Sequence, residues 1–409
     1  MTDKLFVYDY KTDKSYFYGK LLADLNSITE VREYSCNQDL YTTFLMLISG
    51  ILHNQNLVLL DSDVSEQELQ NLNLSKTDLL RSKTVSELKI SSVEELLVKL
   101  KEHRDWQLTL FTSGTTGIPK KVVHTLSTLI RAVRISERHN NDVWGFAYNP
   151  AHIAGLQVFF QALLNGNAII NLFEAGRDDI LHLVKNYGVT NISATPTFYR
   201  LLLPLSDSYP SVRKLTSGGE KFDARLTEAL LKAFPNAGLR NVYASTEAGT
   251  ILESKDDTFS ISDETLCKIV NDEFFIHKSL LGEGEGIASE DEDWYATGDL
   301  VETLEHNPLR FRFLQRKNEM INVGGYKVNP YEVEQVLETH SLVRQAYVYG
   351  KANPVLGNIL MADIVTSEVI SERELREFLN PLLQPFKIPR VISFVKSIEL
   401  TRTGKLKRN

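Results

Sequence analysis

The sequence predicts an α/β protein in two parts: a large N-terminal domain of layered α/β sheets over residues 1–316, and a small α+β C-terminal domain over residues 317–409. Three observations carry this. Strand-like apolar runs at Leu108–Leu110, Val143–Tyr148, Ala168–Leu172, Asn191–Ala194 and Asn241–Tyr243 alternate with helical patterns, as helices laid on largely parallel sheet require. From Phe259 to Trp294 that alternation gives way to short strands and Gly-rich turns, GEGEG at 282–286 being the clearest. Beyond Arg316–Asn318 a hairpin, two capped helices and two further strands follow one another closely enough to build a core of their own.

Residues 38–53 place Leu40, Phe44, Leu47, Ile48, Ile51 and Leu52 on one helical face, and Leu57–Leu60 then reads as a buried strand. Residues 61–89 are polar and weakly periodic, which predicts surface turns and short helices. Ser92 and Glu95 have capping-box spacing and predict a helix through Lys101. Further helices are expected over Thr125–Arg138 and Asp178–Asn186. In the C-terminal part, MINVGGYKV is a hairpin pattern. Asn329, Pro330 and Glu332 supply an N-cap, a first-turn proline and an N3 acid. Strands are expected at Arg344–Tyr349 and Ile359–Val365, and Ser371 with Glu374 opens a last helix.

Composition narrows the function. The chain has 409 residues, 43% of them hydrophobic and 24% charged, enough to bury more than one core. A net charge of -8 gives no basic footprint for nucleic acid, which is not expected as a partner. No apolar stretch is long enough for a membrane span, and the N-terminus has no signal-peptide pattern, so a cytoplasmic protein is expected. Cys36 and Cys267 are far apart and lack ligand-spaced neighbours, which argues against disulfides and zinc.

The run FTSGTTGIPKK at 111–121 follows a strand with small, hydroxylated residues and two lysines. Such backbone can turn several N–H groups toward one anion, phosphate above all. The spacing is not that of a P-loop, because the fifth residue after Gly114 is Pro119, and no GxGxxG is present. TSGTTGIPK resembles the signature of the adenylate-forming superfamily, whose members include acyl-CoA synthetases, luciferases and nonribosomal adenylation domains. AHIAGL at 151–156, SGGE at 217–220, YASTE at 243–247, YATGD at 295–299, QRKNEMINVGGYKVNPYEVE at 315–334 and RTGKLKR at 402–408 follow in the family's order.

The resemblance implies a reaction in two halves on one site. A small carboxylic acid is capped with AMP from ATP, and a thiol then displaces the AMP, with ATP and Mg²⁺ required and CoA as the acceptor. Thr112, Ser113, Gly114, Thr115, Thr116, Gly117 and Lys120 are implied to hold the phosphates. The following Lys121 stands where relatives carry glycine, and solvent is its expected surroundings. Gly218, Gly219 and Glu220 are implied to lie along the adenine, with Tyr243, Ala244 and Ser245. Thr246 is implied at the α-phosphate and the acid, and Glu247 at the metal, where a hard cation wants oxygen. Asp299 and Arg316 are implied at the ribose, and Lys405 at the transition state of adenylation. A mobile C-terminal domain is implied, with its hinge at Asn318 and a thiol channel at Gly324 and Gly325. His152 is implied to line or gate the acyl pocket, and Phe198, Tyr199 and Gly219 to border it. An early phosphate loop and a short interval from Glu247 to Asp299 imply a compact N-terminal domain.

Two other functions fit the same residues: adenylation followed by loading of a carrier protein's phosphopantetheine arm, and nucleotide binding without catalysis. Joint presence of Lys120, Glu247, Asp299 and Lys405 argues against the latter.

Overall fold

The structure, a computed structural model, describes residues 2–37, 39–112, 120–218, 224–284, 293–323, 326–353 and 357–400. Its contacts divide the chain into two compact units, Met1–Phe259 with Ile276–Tyr295, and Ser260–Phe275 with Ala296–Asn409.

The first unit is built on two sheets. The larger has eight strands in the spatial order Gly249–Ser254, Gly238–Ser245, Lys214–Gly218, Asn191–Ala194, Val143–Phe146, Ala168–Asn171, Leu5–Asp9, Lys14–Phe17. Its inner pairs are parallel and only its two edges are antiparallel. Helices Ile153–Leu163, Arg177–Asn186, Pro196–Leu202 and Ala224–Ala233 make the crossovers that parallel pairing demands. Strand Ala168–Asn171 is buried at every position, with Ile169 feeding one apolar cluster and Ile170 the other. Alternate residues of a strand point to opposite faces, so this sheet is covered on both sides.

The second sheet runs Glu283–Gly284, Lys120–Thr125, Gln107–Thr112, Leu57–Leu59, Tyr34–Ser35. The cluster joining it to the large sheet contains Phe6, Phe44, Phe146 and Phe159, all at 0% exposure, with the Phe44 and Phe159 rings stacked at 4.2 Å. Each such ring contributes roughly 1.5–3 kcal/mol by leaving water.

The second unit contains the strand Trp294–His306 from Ala296 onward, which pairs antiparallel with Leu309–Arg316 in a five-stranded sheet. It also contains the C-terminal sheet, where Val343–Asn353 and Gly357–Thr366 form the long central hairpin, and Val391–Phe394 adds a parallel edge. Helices Pro330–Glu338 and Glu372–Leu379 bury Val333, Leu337, Leu375 and Leu379 against it. The expected boundary after Arg316 falls inside this unit, between its two sheets.

Most expected elements form where the periodicity puts them. Asn329 caps its helix through Tyr331 N–H, and the Ser371–Glu374 box closes in both directions. Three expectations are corrected. Thr125–Arg138 is α-helical only over Leu126–Ile130, with a 3-10 turn starting at Glu137, because the Arg131 side chain is committed to distant carbonyls and Arg134 N–H to the Gln161 side chain. The Ser92 cap forms, but Glu95 turns its carboxylate to Ser91 N–H and hydroxyl, so the box stays open. Within 61–89, Ser82–Thr84 is a strand paired with Glu30–Arg32 rather than a turn.

Candidate active site

Residues 113–119 connect two antiparallel strands, with Thr112 opposite Lys120 at the mouth of the hairpin. Ser113, Gly114, Thr115, Thr116 and Gly117 lie outside the described residues. Lys120 and Lys121 are both exposed, and Lys121 meets the solvent expected of it. Lys120 shares a strand face with Val122 and His124, which are 1% and 2% exposed, so its face is the one that turns toward the protein.

Two neighbouring parallel strands of the large sheet, Lys214–Gly218 and Gly238–Ser245, end in sequence motifs. Gly218 closes Lys214–Gly218 and pairs with Val242, and a Cβ on it would sit 3.0 Å from the Val242 carbonyl oxygen. That contact is tighter than most Cβ atoms make, which favours glycine beside Tyr243. Gly219 and Glu220 lie outside the described residues. Tyr243, Ala244 and Ser245 finish the next strand, half-buried, with a register shift after Tyr243. The turn 246–248 then carries Thr246 and Glu247, and Ser245 Oγ accepts from Ala248 N–H at 3.2 Å. The carboxyl ends of such strands are where open α/β sheets bind ligands.

His124, which sequence reasoning passed over, ties this turn to the hairpin. Its Nε2 donates to the Thr246 carbonyl at 2.7 Å, and burial pushes its pKa below 6.5. The neutral imidazole is therefore fixed with the proton on Nε2. Gln157, on the helix that begins within AHIAGL, accepts from the Thr250 hydroxyl at 3.0 Å and brings that helix to the same strand pair. His124 lies in the run KKVVHT, where only Val122 and Val123 are apolar, so no pattern in the sequence marks it out.

His152 stands at the N-terminal flank of helix Ile153–Leu163. Its Nε2 is 3.3 Å from Asp61 Oδ1, out of line for a hydrogen bond, and Asn149 Nδ2 donates to the same oxygen at 2.7 Å. The glycine of AHIAGL has a steric cause: a Cβ on Gly155 would lie 2.5 Å from the Asn149 carbonyl oxygen. Tyr199, expected at the acyl pocket, is instead fully buried, its hydroxyl bonding the Ile192 and Thr216 carbonyls at 3.0 and 2.9 Å. It joins two strands from beneath.

In the second unit Asp299 and Arg316 are cross-strand partners, with Arg316 Nε 2.9 Å from Asp299 Oδ1. Asp299 is 8% exposed. Glu273, not foreseen, accepts from Gly298 N–H at 3.0 Å and from Lys317 Nζ at 3.2 Å. It holds Gly298, whose φ of +75° within the strand favours glycine. Asn318 belongs to the short 3-10 turn Lys317–Glu319, while Gly324, Gly325 and Lys405 lie outside the described residues.

Family models decide what these parts belong to. The AMP-binding enzyme model matches residues 49–271, more than half of the chain, and the AMP-binding enzyme C-terminal domain model matches residues 332–405. The chain belongs to the AMP-binding enzyme family. It is an AMP-forming acid–thiol ligase by that membership. Among similar proteins, 2-succinylbenzoate–CoA ligase of Staphylococcus epidermidis is 26% identical over 323 residues, covering 73% of this chain and 68% of the relative. 4-Hydroxybutyrate–CoA ligase 1 of Metallosphaera sedula is 28% identical over 355 residues, covering 74% and 61%. The solved o-succinylbenzoate CoA synthetase of Bacillus subtilis, in complex with its acyl-adenylate intermediate, superposes with a TM-score of 0.73 at 20% identity, covering 99% of this chain and 94% of that one. The same enzyme has also been solved with ATP and a magnesium ion.

Glu247 fits the metal that this family's chemistry calls for. It is half-buried, and among the described residues no side chain bonds to or pairs with its carboxylate. No cluster of three metal-ligating side chains exists among the described residues. A magnesium ion carried largely by phosphate oxygens and water needs only one or two carboxylates.

Proposed function

We propose that this ligase activates a small carboxylic acid as its acyl adenylate and passes the acyl group to CoA. The carboxylate oxygen attacks the α-phosphorus of ATP, the bond from that phosphorus to the β-phosphate oxygen breaks, and pyrophosphate leaves. The thiol of CoA, losing its proton, then attacks the acyl carbon and releases AMP. Carboxylates are poor acyl donors because oxide is a poor leaving group, and AMP replaces it with a stabilised one.

Roles follow the residues. Bound magnesium would neutralise charge on the phosphates, and Glu247 would hold it. Lys120 and the loop of Thr112, Ser113, Gly114, Thr115, Thr116 and Gly117 would bind the β- and γ-phosphates. Gly218, Gly219, Glu220, Tyr243, Ala244 and Ser245 would line the adenine, and Asp299 and Arg316 would hold the ribose. Thr246 would orient the acid against the α-phosphate, beside His152. Lys405 would meet the charge that develops there, and rotation at Asn318 would exchange it for Gly324 and Gly325 at the thiol.

The observation that carries this assignment is the 2.7 Å bond from His124 to Thr246, which ties the strand leaving the phosphate loop to the turn bearing Glu247. Kinship with ligases for 2-succinylbenzoate and 4-hydroxybutyrate supports an acid of modest size and CoA as acceptor. We infer a cytoplasmic location, where ATP and CoA are supplied. Among the described residues no helix is long and apolar enough to cross a membrane.

The test is exchange of labelled pyrophosphate into ATP across a panel of carboxylic acids, followed by CoA or a phosphopantetheinylated carrier as acceptor. Exchange that depends on one acid class, and thioester formation with CoA, are expected. Exchange without any acid would contradict the proposal, and transfer only to the carrier would overturn the choice of acceptor.

A further inference from the structure

Three consecutive peptide carbonyls of the turn that bears Glu247 are each held by a different donor. Thr246 O accepts from His124 Nε2, Glu247 O from Gly282 N–H, and Ala248 O from Arg131 Nη2, each at 2.7 Å. The second Arg131 nitrogen, Nη1, donates to Leu280 O at 2.9 Å, so one guanidinium spans the turn and the segment that supplies Gly282. Gly282 is pressed close: a Cβ there would sit 2.7 Å from Val123 O and 2.9 Å from the His124 ring.

A short turn between two paired strands does not need this. Strands Gly238–Ser245 and Gly249–Ser254 already close it through the Ser245–Gly249 pair and the Ser245 hydroxyl. Carbonyls at a turn tip are ordinarily left to water. Here two of the three donors, His124 and Arg131, come from strand Lys120–Thr125 and the end of the helix after it, the stretch that follows residues 113–119 in the chain. On that strand Lys120 and His124 share a face.

Resting on the assignment of Glu247 to the metal, we propose that His124 and Arg131 are positioning residues that lock the Thr246–Ala248 turn to the root of the phosphate loop. The Glu247 carboxylate and the Lys120 ammonium then meet one magnesium–triphosphate as a single preset unit. Neither His124 nor Arg131 touches the nucleotide in this arrangement. Their effect is on where Glu247 points.

The test is calorimetric titration of ATP into the full chain at a series of magnesium concentrations and in EDTA. His124→Leu removes a donor from a buried carbonyl, and His124→Gln returns an amide N–H at similar reach. His124→Leu is expected to weaken magnesium–ATP binding about tenfold and to raise the magnesium needed. Affinity for ATP in EDTA should not move, and His124→Gln should restore most of the loss. A purely structural role would lower folded protein without changing the magnesium dependence. Glu247→Gln is the reference: if it leaves the magnesium dependence unchanged, the metal assignment itself fails. If Glu247→Gln shifts it and folded His124→Leu does not, the positioning role is overturned. Should His124→Leu not fold, the exposed Arg131→Met decides by the same shift or its lack.

Discussion

Replacing Gly155 by alanine sets two magnitudes against each other. Helix propensity alone favours alanine at a helical site by up to about 1 kcal/mol. The packing opposes it, because the new Cβ would lie 2.5 Å from the Asn149 carbonyl oxygen and 3.1 Å from the Phe146 ring. That oxygen is backbone and cannot swing aside: His152 N–H donates to it at 3.2 Å, and the Asn149 side chain is bound to Asp61 and to Ala151 N–H. Overpacking of this kind costs about 1–3 kcal/mol. At 2.5 Å from a backbone atom the upper half of that range, about 2–3 kcal/mol, applies, so the net expectation is a loss of about 1–2 kcal/mol, with the 149–152 turn displaced and His152 drawn away from Asp61. All three tryptophans, Trp106, Trp144 and Trp294, lie in the first unit, so urea unfolding followed by tryptophan fluorescence reports on the unit concerned. A midpoint shifted to lower urea is expected, together with a raised KM for the acid in pyrophosphate exchange. A midpoint equal to or above that of the parent chain would refute the reasoning, since propensity would then have outweighed the contact.

Other outcomes are as definite. Asp61→Asn keeps a side chain for Asn149 but removes the charge beside His152; kcat/KM for the acid should fall about tenfold while ATP affinity holds, and an equal change in both would separate His152 from the acyl pocket. Lys405→Ala should slow adenylation by about two to three orders of magnitude yet spare thioester formation from supplied adenylate, as stopped-flow on each half-reaction can check. Acidification should expose the burial of His124, which has Arg131 and Glu247 as charged neighbours. Its folded pKa is lowered, so the unfolded chain binds the extra proton first, and the stability it lends is present above 6.5 and lost as pH falls below it. His124→Gln should remove up to about 1.4 kcal/mol per pH unit of the acid slope of urea stability. Unchanged slopes in parent and variant would contradict a neutral buried imidazole.

Much of the fold was legible because its signals are local. Strand Ala168–Asn171 and helix Leu40–Leu52 follow from periodicity, and the Asn329 and Ser371 caps from chemistry within a few residues. What escaped depends on partners far along the chain. The helix after Thr125 stops early because Arg131 reaches carbonyls at 248 and 280, and Ser82–Thr84 is a strand only because Glu30–Arg32 lies beside it. The site divides in the same way. Motifs named Glu247, Asp299 and His152, while their supports were silent: His124 under Thr246, Asp61 beside His152, and Glu273 at the Gly298 N–H. Single polar residues at ordinary positions carry no spacing that marks them. Tyr199 erred in the opposite sense, since an aromatic near a motif reads alike whether it faces a ligand or bridges two strands.

The most direct measurement of the central claim is the product balance of one turnover mixture holding ATP, magnesium, a productive acid and CoA. One AMP and one pyrophosphate for each thioester are predicted, with none formed when the acid is left out. ADP and phosphate in their place, or AMP released at the same rate without acid, would contradict it.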